Sequence, residues 1–182
     1  MSERLKGYYP VIITPFNDDG EVDEGSLRRL VAYNLMNGMH GFTPCGSCGE
    51  VQALTVEERL RITEIVIDEV GRKVPVIGCG GASGTDLSVH ICRELEKLGV
   101  SGIMVQPPFY FLPTQEGLYE HYKRVAEAVS VPIWLYDNPG ATKVNMPVEF
   151  IAKLGEIDNL SLIHISEPTR PLYISYAVFC LK

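Results

Sequence analysis

Positive charge is scarce in this sequence. Its 182 residues carry 16 Lys and Arg against 23 Asp and Glu, giving a formal net charge of −7 and a pI near 5.1. No basic field is available to release counterions from phosphate, which argues against a nucleic-acid partner. Long apolar runs are also missing: none approaches the ~20 residues that a membrane helix needs. The opening residues Met1 to Lys6 lack the apolar core of a signal peptide. These absences predict a cytoplasmic protein without a membrane partner. The five cysteines are an odd number with no disulfide-framework spacing, which suits a reducing compartment. The dinucleotide fingerprint is lacking as well. Thr14-Pro15-Phe16-Asn17 follows the first apolar run, and residues 78–84, although rich in glycine, do not fit G-x-G-x-x-G. That loop reads either as a place where backbone passes close to a neighbour or as ordinary turn-forming glycine.

What is present is a repeat. Short, β-branched apolar runs recur, marked by Val11, Phe42, Val76, Ile103, Ile133 and Ile163, at spacings of 31, 34, 27, 30 and 30. Strand, turn, helix and turn fill about thirty residues. The runs do not alternate, as expected of strands covered on both faces in a parallel sheet. Helical spacing joins Leu27, Leu30, Val31 and Leu35; Leu87, Ile91, Leu95 and Leu98; and Leu118, Tyr122, Val125 and Val129. Thr55 with Glu58 reads as a capping box, Asp23, Thr85 and Thr114 as N-caps, and Gly99 and Gly155 as stops. The pattern is α/β, with five βα units and the start of a sixth strand. Both a doubly wound sheet and a (β/α)₈ barrel use this unit.

In either architecture the chemistry sits beyond the C-terminal ends of the strands. The second run ends in Gly46-Ser47-Cys48-Gly49-Glu50, the fourth in Gln106-Pro107-Pro108-Phe109-Tyr110, and the fifth in Tyr136-Asp137-Asn138-Pro139-Gly140. Consecutive amides and a hydroxyl from Gly46 to Gly49 make a small nest suited to a carboxylate. Tyr110 and Tyr136 at neighbouring strand mouths could relay a proton if Ser47 bridges them. Taken alone, each tyrosine reads more readily as a packed aromatic than as an acid. Cys45-x-x-Cys48 admits a redox reading, which requires a low-pKa thiol. A zinc reading would need a second close ligand pair, and Cys79 and Cys92 are not spaced as one.

Taken together, these motifs resemble the dihydrodipicolinate synthase and N-acetylneuraminate lyase family, pyruvate-dependent class I aldolases. The resemblance covers residues 7 to about 160. It is carried by Gly7 through Phe16, Asp18-Asp19-Gly20-Glu21-Val22-Asp23, the G-x-x-G-E turn at Gly46 with Leu54 to Arg59, Pro107-Pro108-Phe109-Tyr110, and the Y-x-x-P motif from Tyr136 to Pro139. It implies a (β/α)₈ TIM barrel, here truncated to about five and a half units. It also implies a lyase that condenses pyruvate, as a Schiff base on a lysine, with an aldehyde, or cleaves a 2-keto acid. Tyr136 is then the proton shuttle, with Tyr110 and Ser47 completing the relay. Gly46, Ser47, Cys48 and Gly49 hold the keto-acid carboxylate. No metal and no organic cofactor is implied, and family members are homodimers or homotetramers.

The sequence departs from that family in two places. An imine needs a primary amine at the mouth of the sixth strand, but Ser161-Leu162-Ile163-His164-Ile165-Ser166 puts His164 in the lysine slot. Imidazole forms no imine, so the chain as written is expected to be inactive. Of the other lysines only Lys143 follows a strand mouth closely, where it could meet a substrate carboxylate. Residues 161–182 contain none of the 17 glycines, carry two prolines where the sixth helix should form, and resemble translated adaptor or vector sequence. The expected division is therefore a barrel part at 1–160 and a non-native tail at 161–182. The second departure is Ala141, which occupies a place where many family synthases carry an arginine clamp for a substrate carboxylate. A sugar-acid aldolase or hydratase-aldolase thus stands beside the synthase reaction. Two further expectations of other classes are a non-catalytic barrel fragment with a binding or regulatory role, and the CxxC redox module.

Overall fold

The structure of the chain, a computed structural model, describes residues 5–165, with backbone alone described from 161 onward. Most of the expected tail, residues 166–182, therefore lies outside the described residues, as does Lys182. The chain forms two compact units. One runs up to Cys79 and takes in Lys97–Ser101; the other comprises Gly80–Glu96 and continues from Gly102. No helix among the described residues is long and apolar enough to cross a membrane.

In the first unit, helix α1 (Glu24–Met36) starts where Asp23 accepts the Ser26 amide. Helix α2 (Val56–Val70) starts at the expected capping box. The Thr55 hydroxyl accepts the Glu58 amide at 3.2 Å and the Glu58 carboxylate accepts the Thr55 amide at 2.7 Å. Gly71 ends α2 in the left-handed region, which glycine enters without a Cβ penalty. Arg28 and Arg61 tie α1 to α2 through Glu24, Asp68 and Glu69. These pairs are largely exposed and contribute little to stability. The third apolar run becomes strand β1 (Ile77–Cys79), fully buried.

The first two runs fall short of strands. Val11 bridges Thr43 and Phe42 bridges Val76, both in parallel, one residue pair each. Prolines at 10, 15, 44 and 75 crowd these segments, and each removes a ladder donor. The first run also departs from the expectation of two covered faces. Ile12 is 4% exposed, whereas Val11 and Ile13 are 38% and 57% exposed. Val11 and Ile13, two apart, share one face of this run, and that face is open to solvent.

The second unit holds the sheet proper. Strands β2 (Gly102–Val105), β3 (Ile133–Asp137) and β4 (Leu160–Ile165) pair in parallel in the order β2-β3-β4. β2 and β3 are buried without alternation, Tyr136 alone excepted. Helix α3 (Thr85–Leu98) packs Ile91 and Leu95 inward but leaves Leu87 exposed, one turn earlier than the helical spacing predicts. Thr85 is not an N-cap. It is the first helical residue, and its hydroxyl bonds Nδ1 of His121 at 3.0 Å. Gly99, at φ +87°, follows the end of α3. Helix α4 (Gln115–Glu127) begins at Thr114, which accepts the Gly117 amide, and buries Leu118, Tyr122 and Val125. The short helix α5 (Pro139–Thr142) and α6 (Val148–Leu154) complete the unit.

The glycine-rich loop behaves as a close approach at two positions. A Cβ on Gly80 would collide with Sγ of Cys92, and one on Gly81 with the Gln106 amide. Asn159, at φ +68°, closes the turn into β4. Its Nδ2 donates to the carbonyls of Val129 and Val131, both at 2.9 Å, and its own carbonyl accepts the Ile133 amide. Two substitutions check these assignments in urea unfolding of the chain. Thr55→Ala is expected to cost about 1 kcal/mol through the lost cap. Asn159→Ala is expected to cost about 2 kcal/mol through the carbonyls it abandons. Equal midpoints for wild type and Asn159→Ala would show that the turn does not depend on that amide.

Candidate active site

The Gly46 segment folds as a single tight turn in the first unit. Ser47–Gly49 is one 3₁₀ turn. The amides of Gly49, Glu50 and Val51 are spent inside the turn on Gly46 and Ser47 carbonyls. The amides of Ser47 and Cys48 have no backbone partner among the described residues, and both side chains are exposed. The two glycines are required by space. A Cβ at Gly46 would strike Val11, and one at Gly49 would lie 2.9 Å from the Ile12 carbonyl. Thr14 pins the turn by donating its hydroxyl to the Gly49 carbonyl at 2.8 Å in a buried setting. A turn with two amides free of backbone partners and a neighbouring hydroxyl can hold a carboxylate.

Cys45 does not fit the redox reading. It is 1% exposed, its thiol donates to the Arg59 carbonyl at 3.7 Å, and burial pushes its pKa up to about 12. Reactive thiols are shifted the other way. Cys45 and Cys48 are both free.

In the second unit Tyr110 stands 87% exposed in the β2–α4 loop, its ring edge-on to Phe111 at 4.9 Å between centroids. Its backbone lies at φ +86°, an uncommon conformation for an aromatic residue. Neither the Tyr110 hydroxyl nor the Ser47 hydroxyl has a hydrogen-bond partner among the described residues. Lys143 closes α5 at φ +62° and donates its ammonium to the Gly140 carbonyl at 2.7 Å. That ammonium is thus engaged as a helix cap, while Ala141 beside it is exposed.

Tyr136 lies on β3, one residue before its end. It is partly buried, and its hydroxyl oxygen accepts the Asn138 amide at 2.9 Å. The Cα partner of Tyr136 on β4 is His164, the residue expected in the lysine slot. Sequence reasoning missed Asn138, which lies one residue beyond the end of β3 and, before Pro139, reads as turn chemistry. It also missed Asp137, which turns to the opposite side. Asp137 is 5% exposed, Oδ1 has no hydrogen-bond partner among the described residues, and burial raises its pKa to about 6. The fully buried Tyr122 phenol is pushed up by burial and by the Asp137 charge. His121, 1% exposed, is held down at about 4 by burial and by Arg124.

Comparison with known proteins bears on the whole arrangement. Residues 4–169 match the dihydrodipicolinate synthetase family. The chain belongs to that family. It is 43% identical over 168 residues to the 4-hydroxy-tetrahydrodipicolinate synthase of Pelobacter propionicus, covering 92% of this chain and 57% of the relative. It is 41% identical over 177 residues to that of Trichlorobacter lovleyi, covering 97% and 60%. Among solved structures it is similar to the chloride-inhibited dihydrodipicolinate synthase of Acinetobacter baumannii complexed with pyruvate. The TM-score there is 0.86 at 34% identity, covering 88% of this chain and 55% of that one. A prophage protein of the same family from E. coli K12, also in complex with pyruvate, gives 0.87 at 27% identity, covering 91% and 56%. The chain therefore spans little more than half the length of the relatives it matches, and its α/β units are part of their TIM barrel.

Asp137 yields a prediction with a definite sign. Its folded pKa, about 6, lies above the ordinary 3.8. The fold thus favours the protonated acid, and the penalty for ionising it grows from about pH 4 and is complete above about pH 6. Asp137→Asn is expected to be more stable than wild type by about 2–3 kcal/mol at pH 7, the gap closing by pH 4. A gap that stays constant across urea melts at these pH values would mean that the fold does not raise the Asp137 pKa.

Proposed function

We propose that residues 1–160 are the opening part of a pyruvate-dependent class I aldolase of the lyase type, and that residues 161–182 are foreign to it. In this reading the Ser47 and Cys48 amides, framed by Gly46 and Gly49, hold the carboxylate of pyruvate. Tyr136 is the proton shuttle beside the keto carbon, with Tyr110 and Ser47 continuing the relay and Lys143 offered to a carboxylate of the second substrate, an aldehyde. The curated relatives at about 40% identity are 4-hydroxy-tetrahydrodipicolinate synthases, which favours synthase chemistry. Ala141 in the arginine place favours a different aldehyde. The parent enzyme is a cytoplasmic homodimer or homotetramer in this proposal, and imine chemistry supplies its own electron sink, so the proposal invokes no metal or organic cofactor.

The observation that carries the reading is the register of β3 against β4, with Tyr136 opposite His164. Imine formation joins a neutral primary amine to the keto carbon and expels water. The imidazole of His164 cannot complete that step. The chain as written is therefore proposed to hold a keto acid without converting it, which is also what the second reading, a non-catalytic binding fragment, requires.

Borohydride reduction in the presence of pyruvate, followed by intact mass, tests this. No adduct is expected on the chain as written, and an adduct is expected on His164→Lys. An adduct on the unchanged chain, mapped to Lys143 or another lysine, would overturn the assignment of the slot. Sequencing the source DNA past codon 160 separates the two readings. An apolar run ending in Lys-Glu and continuing for about a hundred residues supports the aldolase, whereas a confirmed stop after Lys182 supports the binding fragment.

A further inference from the structure

We infer that Asn138 is a positioning residue for Tyr136: its side-chain amide fixes the direction of the phenol hydroxyl. The inference rests on the proposed role of Tyr136 for its functional meaning, but the contact itself is independent of that role.

The argument begins with the backbone. Asn138 follows the last residue of β3 and precedes Pro139, the first residue of α5. Its main chain is held tightly by that turn. Its carbonyl accepts the amides of Ala141 at 3.1 Å and Thr142 at 2.9 Å, and the Thr142 hydroxyl at 2.9 Å. Its side-chain Oδ1 accepts the Ala141 amide at 3.3 Å, as an N-cap does.

The cap decides which end of the amide faces Tyr136. An asparagine side chain can be turned over, exchanging oxygen and nitrogen. Turned over here, Nδ2 would meet the Ala141 N–H donor to donor, and the side-chain share of that amide's bond would be lost, leaving only the Asn138 carbonyl. With Oδ1 committed to the cap, Nδ2 must point away from it, and at 2.9 Å it meets the Tyr136 oxygen. The phenol oxygen is therefore the acceptor. One of its lone pairs is directed at Nδ2, and this sets where the O–H bond can lie in the ring plane. A donor fixed in advance also gains strength as charge develops on the oxygen during proton transfer, without reorganising. Aspartate at this position would keep the cap, since it accepts as well as asparagine does. It would present a carboxylate to the phenol in place of a donor. Serine would also keep the cap but is too short to reach the phenol oxygen. The cap and the phenol contact can thus be separated by substitution.

The test uses the full chain with ¹³Cζ-labelled tyrosine, the Tyr136 signal being assigned by Tyr136→Phe. In Asn138→Asp and Asn138→Ser the Tyr136 Cζ signal is expected to move, in different directions, while the Ala141 amide signal and the other tyrosines stay in place. A Tyr136 signal unmoved in both variants would overturn the inference. So would movement of the Ala141 amide together with every tyrosine, because the side chain would then serve the turn and not the phenol. Failure of the functional reading shows elsewhere. If His164→Lys forms no pyruvate adduct while the Tyr136 signal still responds to Asn138, the aldolase assignment fails and the positioning contact stands.

Discussion

Parallel pairing on both sides of β3 is the constraint from which the rest of the candidate site follows. A strand bonded to β2 on one edge and β4 on the other cannot rotate about its axis. Its two-residue period then assigns each side chain at the mouth to a side. Tyr136 and Asn138 share one side, where the amide meets the phenol. Asp137, between them, is sent to the other, within electrostatic reach of the Tyr122 phenol. One backbone geometry thus produces both a polar pair and a buried acid.

The buried side of that arrangement is not optimised for stability. Asp137, His121 and Tyr122 are titratable groups in nearly dry surroundings, and burial drives each toward its neutral form. Neutralisation is the usual response when a charge would otherwise lose its water without gaining a partner. His121 keeps one bond, to Thr85, while its Nε2 has no hydrogen-bond partner among the described residues. The exposed ion pairs of α1 and α2 do not offset such costs. The apolar burial of β1, β2 and β3 is the larger stabilising contribution.

Much of this was legible in the sequence because it rests on local rules. The Thr55–Glu58 box, the Asp23 and Thr114 caps and the later apolar runs appear where their spacing puts them. The G-x-x-G-E turn needs glycine for a steric reason now visible against Val11 and Ile12. What was not legible depends on tertiary context. Thr85 has the chemistry of a cap, but a buried histidine on α4 claims its hydroxyl. The first run has the composition of a covered strand, yet its exposure depends on which neighbours flank it. Asn138 was hidden in plain view, because an asparagine before proline reads as turn chemistry and its second hydrogen bond is seen only once Tyr136 is placed.

The turn at Asn159 has a consequence for the residues that follow it. β4 begins at the next residue, where Leu160 pairs with Ile133 behind a side chain anchored to carbonyls about thirty residues upstream, and a one-residue shift then sets Leu162 against Trp134 and His164 against Tyr136. A slip of one residue would turn every β4 side chain to the other face. The position opposite Tyr136 is therefore set jointly by the upstream anchor at Asn159 and by the shift after Leu160. The residue four places beyond Leu160 reaches that address only because the strand gains one residue on β3 at the shift after Leu160.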